Sequence, residues 1–202
     1  MKHKIIVDII PEQHTGTELE SEASIVISND VDPGKFYNQV KERLLNVNGW
    51  HHLAGAVSAK FQAIDSTGKE VERPVEMGDY MRIDIPGPGS KAGDGYDWVK
   101  VEVIEEQTEN EMQSIGFRVR PTTNPLSQDQ SIAHFYGDSA TSIFIITREG
   151  NTITASIIDR NLLPNTNPES LMDKIRDTAI GLSAIGGFAK IQWQNLADGL
   201  VH

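Results

Sequence analysis

The chain has 202 residues, 38% of them hydrophobic and 23% charged, a formal net charge of −11 with a pI near 4.9, and no cysteine. This length and apolar content suit one domain spanning residues 1–202 with a proper core, and the acidic balance excludes a broad nucleic-acid or anionic-membrane footprint because phosphate-rich partners repel it at long range. Without cysteine there is no disulfide, thiolate metal site or cysteine nucleophile, which fits a reducing cytoplasm.

The first segment, MKHKIIVDII, sets basic residues before a short apolar run, but Asp8 interrupts the run and no small-residue cleavage site follows. Residues 1–20 are therefore expected to contribute an extra strand and not a signal peptide. No later window approaches the roughly 18 apolar residues of a membrane-spanning helix, so the expectation is a soluble, cytoplasmic chain without membrane insertion. SEASIVIS reads as a second strand. In NDVDPGKFYNQVKERLLNVNGWHHLAG the period shifts from two towards 3.6, with Phe36, Val40 and Leu44 at helical spacing. Asp32 before Pro33 is a plausible helix start, since a carboxylate caps free amides and proline tolerates the first turn. Asn48-Gly49 stops that helix, and Trp50 to Leu53 forms a short second helical piece or an aromatic-rich bend.

From Val57 to Asp159 strand follows strand: VSAKFQAI, YMRIDI, WVKVEVI, QSIGFRV, TSIFIIT and NTITASII, with turn chemistry in DSTG and REGN. Met81, Ile83 and Ile85, then Val99, Val101 and Val103, then Ile115, Phe117 and Val119 mark one apolar face. Arg82, Asp84, Lys100, Glu102, Arg118 and Arg120 mark the other. One covered face and one wet face is antiparallel behaviour. The loop within Asp79 to Val103, IPGPGSKAGDGY, is rich in glycine but is no Walker-type phosphate loop: Lys91 precedes the second glycine group, and a strand follows instead of a helix N-terminus. It reads as a connector, or alternatively as a lid whose Tyr96 and Trp98 fold over a ligand.

After LLPNTNPES, Asn167 and Pro168 begin the strongest periodic signal. Leu171, Ile175, Thr178, Leu182, Ile185, Ala189, Trp193, Leu196 and Leu200 step by three or four along one face of a long helix. Gly181, Gly186 and Gly187 interrupt it, each at a cost of about 1 kcal/mol relative to alanine.

This order of elements, in SEASIVIS, DPGKFYNQVKERLLNVNGW, the strand series and NPESLMDKIRDTAIGLSAIGGFAKIQWQNL, resembles the helix-grip superfamily, which includes START lipid-transfer domains, polyketide-cyclase-like proteins and the birch-pollen-allergen group. The resemblance covers roughly Ser21 to His202. It implies an α+β fold, a curved antiparallel sheet wrapped around a long C-terminal helix, with an apolar cavity between them. The N-terminal strand is extra to that pattern and either pairs with a sheet edge or mediates a homodimer.

Candidate chemistry is sparse. His51 and His52 lack the further ligands of a closed metal site, and adjacent histidines are expected to point apart. His134 lies near Tyr136, Asp138 and Ser139, a group suited to proton transfer only if it converges on a cavity. Arg118 and Arg120 share a strand face, either as an anion-binding pair or as cross-strand partners. No metal, cofactor or catalytic residue is called for. The resemblance implies a module that holds a small, mainly apolar molecule, lined by Trp50, Phe61, Tyr96, Trp98, Phe144, Ile185, Gly186, Ala189 and Trp193. Gly186 and Gly187 are expected to keep side-chain volume out of that space. The alternatives are a cyclase or hydratase-type enzyme using His134 or Tyr136, and an association module whose cavity is filled by side chains.

Overall fold

The computed structural model describes residues 7–28, 30–55, 58–86, 90–165 and 179–202, with side chains in the last of these from Gly186 onward. Helix α1, Pro33–Leu45, starts as its sequence predicts: the Asp32 carboxylate accepts from the backbone N–H of Gly34 at 2.9 Å and of Lys35 at 3.2 Å. Asn46 ends it, a 3₁₀ turn over Val47–Gly49 follows, and α2 is the short helix Trp50–Ala54. Tyr37, Val40 and Leu44 of α1 and Trp50 of α2 are fully buried.

Seven strands form one antiparallel sheet: β1 (Thr17–Val26), β2 (Lys60–Ile64), β3 (Tyr80–Asp84), β4 (Asp97–Glu109), β5 (Met112–Pro121), β6 (Thr141–Glu149) and β7 (Thr152–Leu162). The order is β1-β7-β6-β5-β4-β3-β2, so β2 to β7 meander and β1 closes on β7 at the edge opposite β2. The chain leaves at one edge and re-enters at the other. Helices α1 and α2 make that crossing over the inner face, with α1 against β6 and β7. The C-terminal helix α3, Ala179–Val201, lies over β1 and β7 and against α2. A curved antiparallel sheet with two small helices between its first two strands and a long closing helix on the same face is the helix-grip architecture. The apolar stripe of α3 holds over its described part: Ala189, Leu196 and Leu200 are buried and Trp193 is half-buried. The earlier positions of that stripe, Leu171 to Ile185, lie outside the described side chains.

Two expectations are corrected. The pairing of β4 with β5 shifts register between Val101 and Val103, so Val101 faces Val119 on the inner side while Val103 faces Arg118 on the outer side. A bulge of this kind inverts the side-chain alternation beyond it. Accordingly Val103 leaves the expected Val99–Val101–Val103 face and joins Ile143, Ile145 and Ile158 in an outer cluster. The outer face is therefore not simply wet.

What covers it is the N-terminal segment. The described part of the expected strand is a 3₁₀ turn, Val7–Ile9, and Ile9 is 1% exposed within that outer cluster. Gly116 makes the space: a Cβ there would lie 2.8 Å from Cδ1 of Ile9. Arg118 fixes the turn by donating to the Ile9 carbonyl at 3.0 Å. Further along, Asn161 accepts from the backbone N–H of His14 at 2.7 Å and of Thr15 at 3.1 Å, and donates to the Glu12 carbonyl at 3.1 Å. The segment is a strap across the sheet.

Candidate functional site

Aromatic rings gather where α2 and α3 meet the inner face of the sheet. Trp50 contacts Phe61, Phe144 and Phe117 with ring centroids 5.1, 4.7 and 6.0 Å apart, and its indole N–H donates to the Leu44 carbonyl at 3.1 Å. Trp193, one turn beyond Ala189 on α3, stands over Phe144 at 5.3 Å and Phe61 at 6.2 Å. Such pairs add about 0.5–1.5 kcal/mol each beyond the area they bury. Of the residues expected to line a ligand site, the structure thus brings together Trp50, Phe61, Phe144 and Trp193, with Ala189 buried one turn away.

Tyr96 and Trp98 are elsewhere. Trp98 pairs across from Arg82, opposite in parity to the inward Val99, so its ring enters a separate outer-face cluster with Ile64, Ala92 and Ala133. Its indole donates to the Gly93 carbonyl at 3.3 Å, and the Tyr96 ring lies 4.8 Å below the Arg82 guanidinium. The turn from Ser90 to Gly95 wraps this cluster; residues 87–89 of the glycine-rich loop and the Ile185 side chain lie outside the described residues. Gly186 is half-buried and Gly187 exposed, and a Cβ on either would meet nothing within 4 Å.

At Gly199 of α3 a Cβ would fall 2.3 Å from the Leu53 carbonyl oxygen, so this end presses backbone to backbone on α2, with Leu196, Ala197, Leu200 and Val201 all at 1% exposure or less. Gly186 and Gly187, more than three turns earlier, are half-buried and exposed and make no such contact. Between the two ends, side chains of α3 reach the edge strand: Gln194 donates to the Glu22 carbonyl at 3.0 Å and Lys190 to that of Glu20. These bonds also cover part of an edge that other chains would otherwise pair with.

A polar group borders the aromatic one. Asp159 of β7 points inward beneath α3, 2% exposed, and Oδ2 accepts from the Trp193 indole N–H at 2.9 Å. Burial pushes its carboxyl up to about 6, against the opposing influence of Ser142, Trp193, Arg160 and Lys190. Tyr136 is close enough to sense that charge, and burial together with Asp159 pushes its phenol up to about 12. The Tyr136 ring is 6.0 Å from that of His134, which lies with Nε2 3.9 Å from the carboxyl of Asp97. Burial pushes Asp97 up to about 7, offset only by the Phe135 N–H at 3.4 Å. It pulls His134 down to about 3, with Nδ1 accepting from the Tyr136 N–H at 2.9 Å.

His134 and Tyr136 thus do converge, but with Asp97 and Asp159 and not with Asp138, which is exposed, or Ser139, which donates to the Asn161 carbonyl at 3.3 Å. The Nδ1 lone pair of His134 is spent on a backbone amide. The ring is a neutral donor through Nε2, a poor general base. The two carboxyls escaped the sequence reading, although each carried a signal: Asp159 continues the inward parity of Ile153, Ala155 and Ile157, and Asp97 that of Val99 and Val101.

The remaining candidates resolve as structure. Arg118 and Arg120 both donate to Glu102, at 2.7 and 2.5 Å, so they are cross-strand partners on the outer face. The rings of His51 and His52 do not point apart; their centroids are 3.7 Å from each other, and Nδ1 of His51 is 3.1 Å from the Asn48 carbonyl. Among the described residues no cluster of three or more His, Asp or Glu is placed to hold a metal ion, and no helix is long and apolar enough to cross a membrane.

No family model and no curated protein sequence matches the chain. Among solved structures it is similar to the hypothetical protein jhp0584 from Helicobacter pylori, with 9% identity and a TM-score of 0.49 over 91% of this chain and 87% of that one. It is also similar to Ara h 8.0201, at 11% identity and a TM-score of 0.34 over 89% and 99% of the two chains. The ginseng major latex-like protein 151 from Panax ginseng gives 12% identity and a TM-score of 0.34 over 88% and 99%. These likenesses are distant, and the helix-grip assignment stands on the strand order and helix placement of the chain itself.

Proposed function

We propose that the protein is a binding module that holds a small, mainly apolar ligand between the sheet and α3. The observation that carries this reading is the half-buried Trp193 of α3, which stands over Phe61 and Phe144 of the inner face beside the buried carboxyl of Asp159. Aromatic floors with a few convergent polar groups are the usual make-up of small-molecule sites. The acid/base alternative draws no support from His134, whose Nδ1 is engaged and whose burial holds it neutral. A cysteine-free chain of this kind suits a reducing cytoplasm.

The test is uptake of Nile red, a neutral apolar fluorophore, by the folded protein. Saturable uptake is expected, weakened by Ala189→Phe, which adds a ring beside Trp193. Absence of uptake by protein whose folding is verified in the same sample overturns the reading and favours a filled core acting by association.

A further inference from the structure

Beneath α3 the sheet carries two buried oxygens without a hydrogen-bond partner, Oδ1 of Asp159 and Oγ of Ser21. They stand on adjacent strands and on one face. Leu19 pairs with Asp159 and Ser21 with Ile157, which makes Ser21 and Asp159 diagonal neighbours, about 7 Å apart at the backbone in an antiparallel pair. A single donor group fits between two such side chains, with a hydrogen bond of about 2.9 Å to each. Both residues are sequestered, Ser21 at 3% and Asp159 at 2% exposure.

Arg160 and Lys190 act on Asp159 from a distance, but no cation pairs with it directly. Arg160, its neighbour on β7, reaches outward to Glu18 at 3.3 Å and Glu20 at 2.6 Å. Lys190 of α3 is bound to the Glu20 carbonyl. Tyr136 contributes a neutral phenol, and Trp193 serves only Oδ2. Ser142 faces Asp159 across β6 and β7 and acts on its carboxyl as a hydrogen-bonding neighbour, yet Oδ1 finds no partner at hydrogen-bond geometry. Each unsatisfied buried polar atom costs about 1–3 kcal/mol, so native chains keep few of them.

We infer that the ligand is an amphiphile with a protonated amine at one end, its N–H groups received by Oδ1 of Asp159 and Oγ of Ser21 and its apolar body lying along Trp193, Phe144 and Phe61. An ammonium supplies both the missing donors and the missing positive charge. An alcohol supplies only a donor, and a carboxylate is repelled. The chain's net charge of −11 favours the approach of a cation in the same sense. The inference rests on the binding reading above and specifies the polar end of the ligand.

The experiment is displacement of bound Nile red from the 202-residue protein by decylamine, decanol and decanoate, each below its micellar concentration. Decylamine is expected to displace the dye at about a tenfold lower concentration than decanol, from the strength of hydrogen bonds to a charged group, with decanoate weakest. Below about pH 6, where Asp159 takes up its proton, the amine loses its advantage while decanol is unaffected. The Tyr136 phenol, pushed up to about 12, stays neutral across that range, and Asp97, raised to about 7 beside His134, is the other group that titrates there. An amine profile that persists in Asp97→Asn therefore assigns it to Asp159, and one that is lost there overturns the assignment. Asp159→Asn should bring amine and alcohol within about threefold of each other, and Ser21→Ala should narrow the gap in part. The wild-type series and its pH profile decide the matter even if Asp159→Asn folds poorly. Equal displacement by all three compounds, with Nile red bound, overturns the amine inference and leaves the binding module standing. No Nile red uptake by the folded wild type overturns both.

Discussion

The Trp193 indole N–H donates to Oδ2 of Asp159 at 2.9 Å, tying the closing helix to the second strand from the sheet edge through a buried carboxyl. Trp193→Phe keeps most of the ring contact with Phe144 and Phe61 and removes the donor. The Asp159 pKa, already raised by burial, should rise further. A carboxyl whose folded pKa exceeds its unfolded value contributes stability that is full below the unfolded pKa and lost as pH rises through the folded one. The variant should therefore lose about 1–3 kcal/mol at pH 8, the cost of an uncompensated buried group, and less at pH 5. Urea denaturation at the two pH values checks this; an equal loss at both would assign the effect to packing alone.

Asp97 and His134 should oppose one another in the pH dependence of stability. Asp97, raised to about 7, favours the fold below its unfolded value and loses that contribution as pH climbs towards 7. His134, lowered to about 3, contributes fully above its unfolded value near 6.5 and loses that contribution as pH falls towards 3. Asp97→Asn removes only the first trend. It should gain about 1–3 kcal/mol on wild type at pH 8, from relief of a buried charge, and be nearly neutral at pH 4. Stability curves from pH 4 to 8 for the two proteins read this out; a gain larger at pH 4 than at pH 8 contradicts it.

Three glycines of α3 should respond in opposite directions. Gly186→Ala and Gly187→Ala add a methyl to open space and should each stabilise by about 0.5–1 kcal/mol through helix propensity. Gly199→Ala drives a methyl against the Leu53 carbonyl and should destabilise by about 1–3 kcal/mol, the range for overpacking. Thermal unfolding of the three variants separates the glycines with open surroundings from the one pressed on α2; destabilisation by all three, or by none, would contradict this.

The strap makes a further prediction. Ile9→Ala removes the side chain that fills the notch at Gly116 and should cost about 2–4 kcal/mol, as for other buried isoleucines. Ile10→Ala, half-buried beside it, should cost less. Chemical denaturation of both variants tests whether the segment is structural; equal and negligible effects would show that it is not.

Much of the fold was legible in the sequence because its period is carried by side chains that alternate cleanly. Met81 and Ile83, Val99 and Val101, and Ile115, Phe117 and Val119 fix the inner face, while Asp32-Pro33 starts α1. Val103 was misplaced because a bulge leaves no composition signal; only pairing reveals that the parity inverts. The strap escaped the sequence because KIIVDII is a short β-branched run of the kind strands favour, whereas its Ile9 is satisfied by a notch at Gly116 more than a hundred residues away. The site was half legible. Trp50, Phe61, Phe144 and Trp193 are large apolar residues on inward faces, but the reading of Tyr96 and Trp98 overlooked that Trp98 alternates with the inward valines. Asp159 and Asp97 went unnoticed because an acid in a strand is normally solvent-facing, and parity alone had to say otherwise.

The most direct test of the binding reading is native mass spectrometry of the protein purified from its own host. The bare chain weighs 22.3 kDa. The prediction is a folded species heavier than this by the mass of one small molecule, released on denaturation and, on the further inference above, bearing a basic nitrogen. Folded protein that flies only at the mass of the bare chain would contradict it.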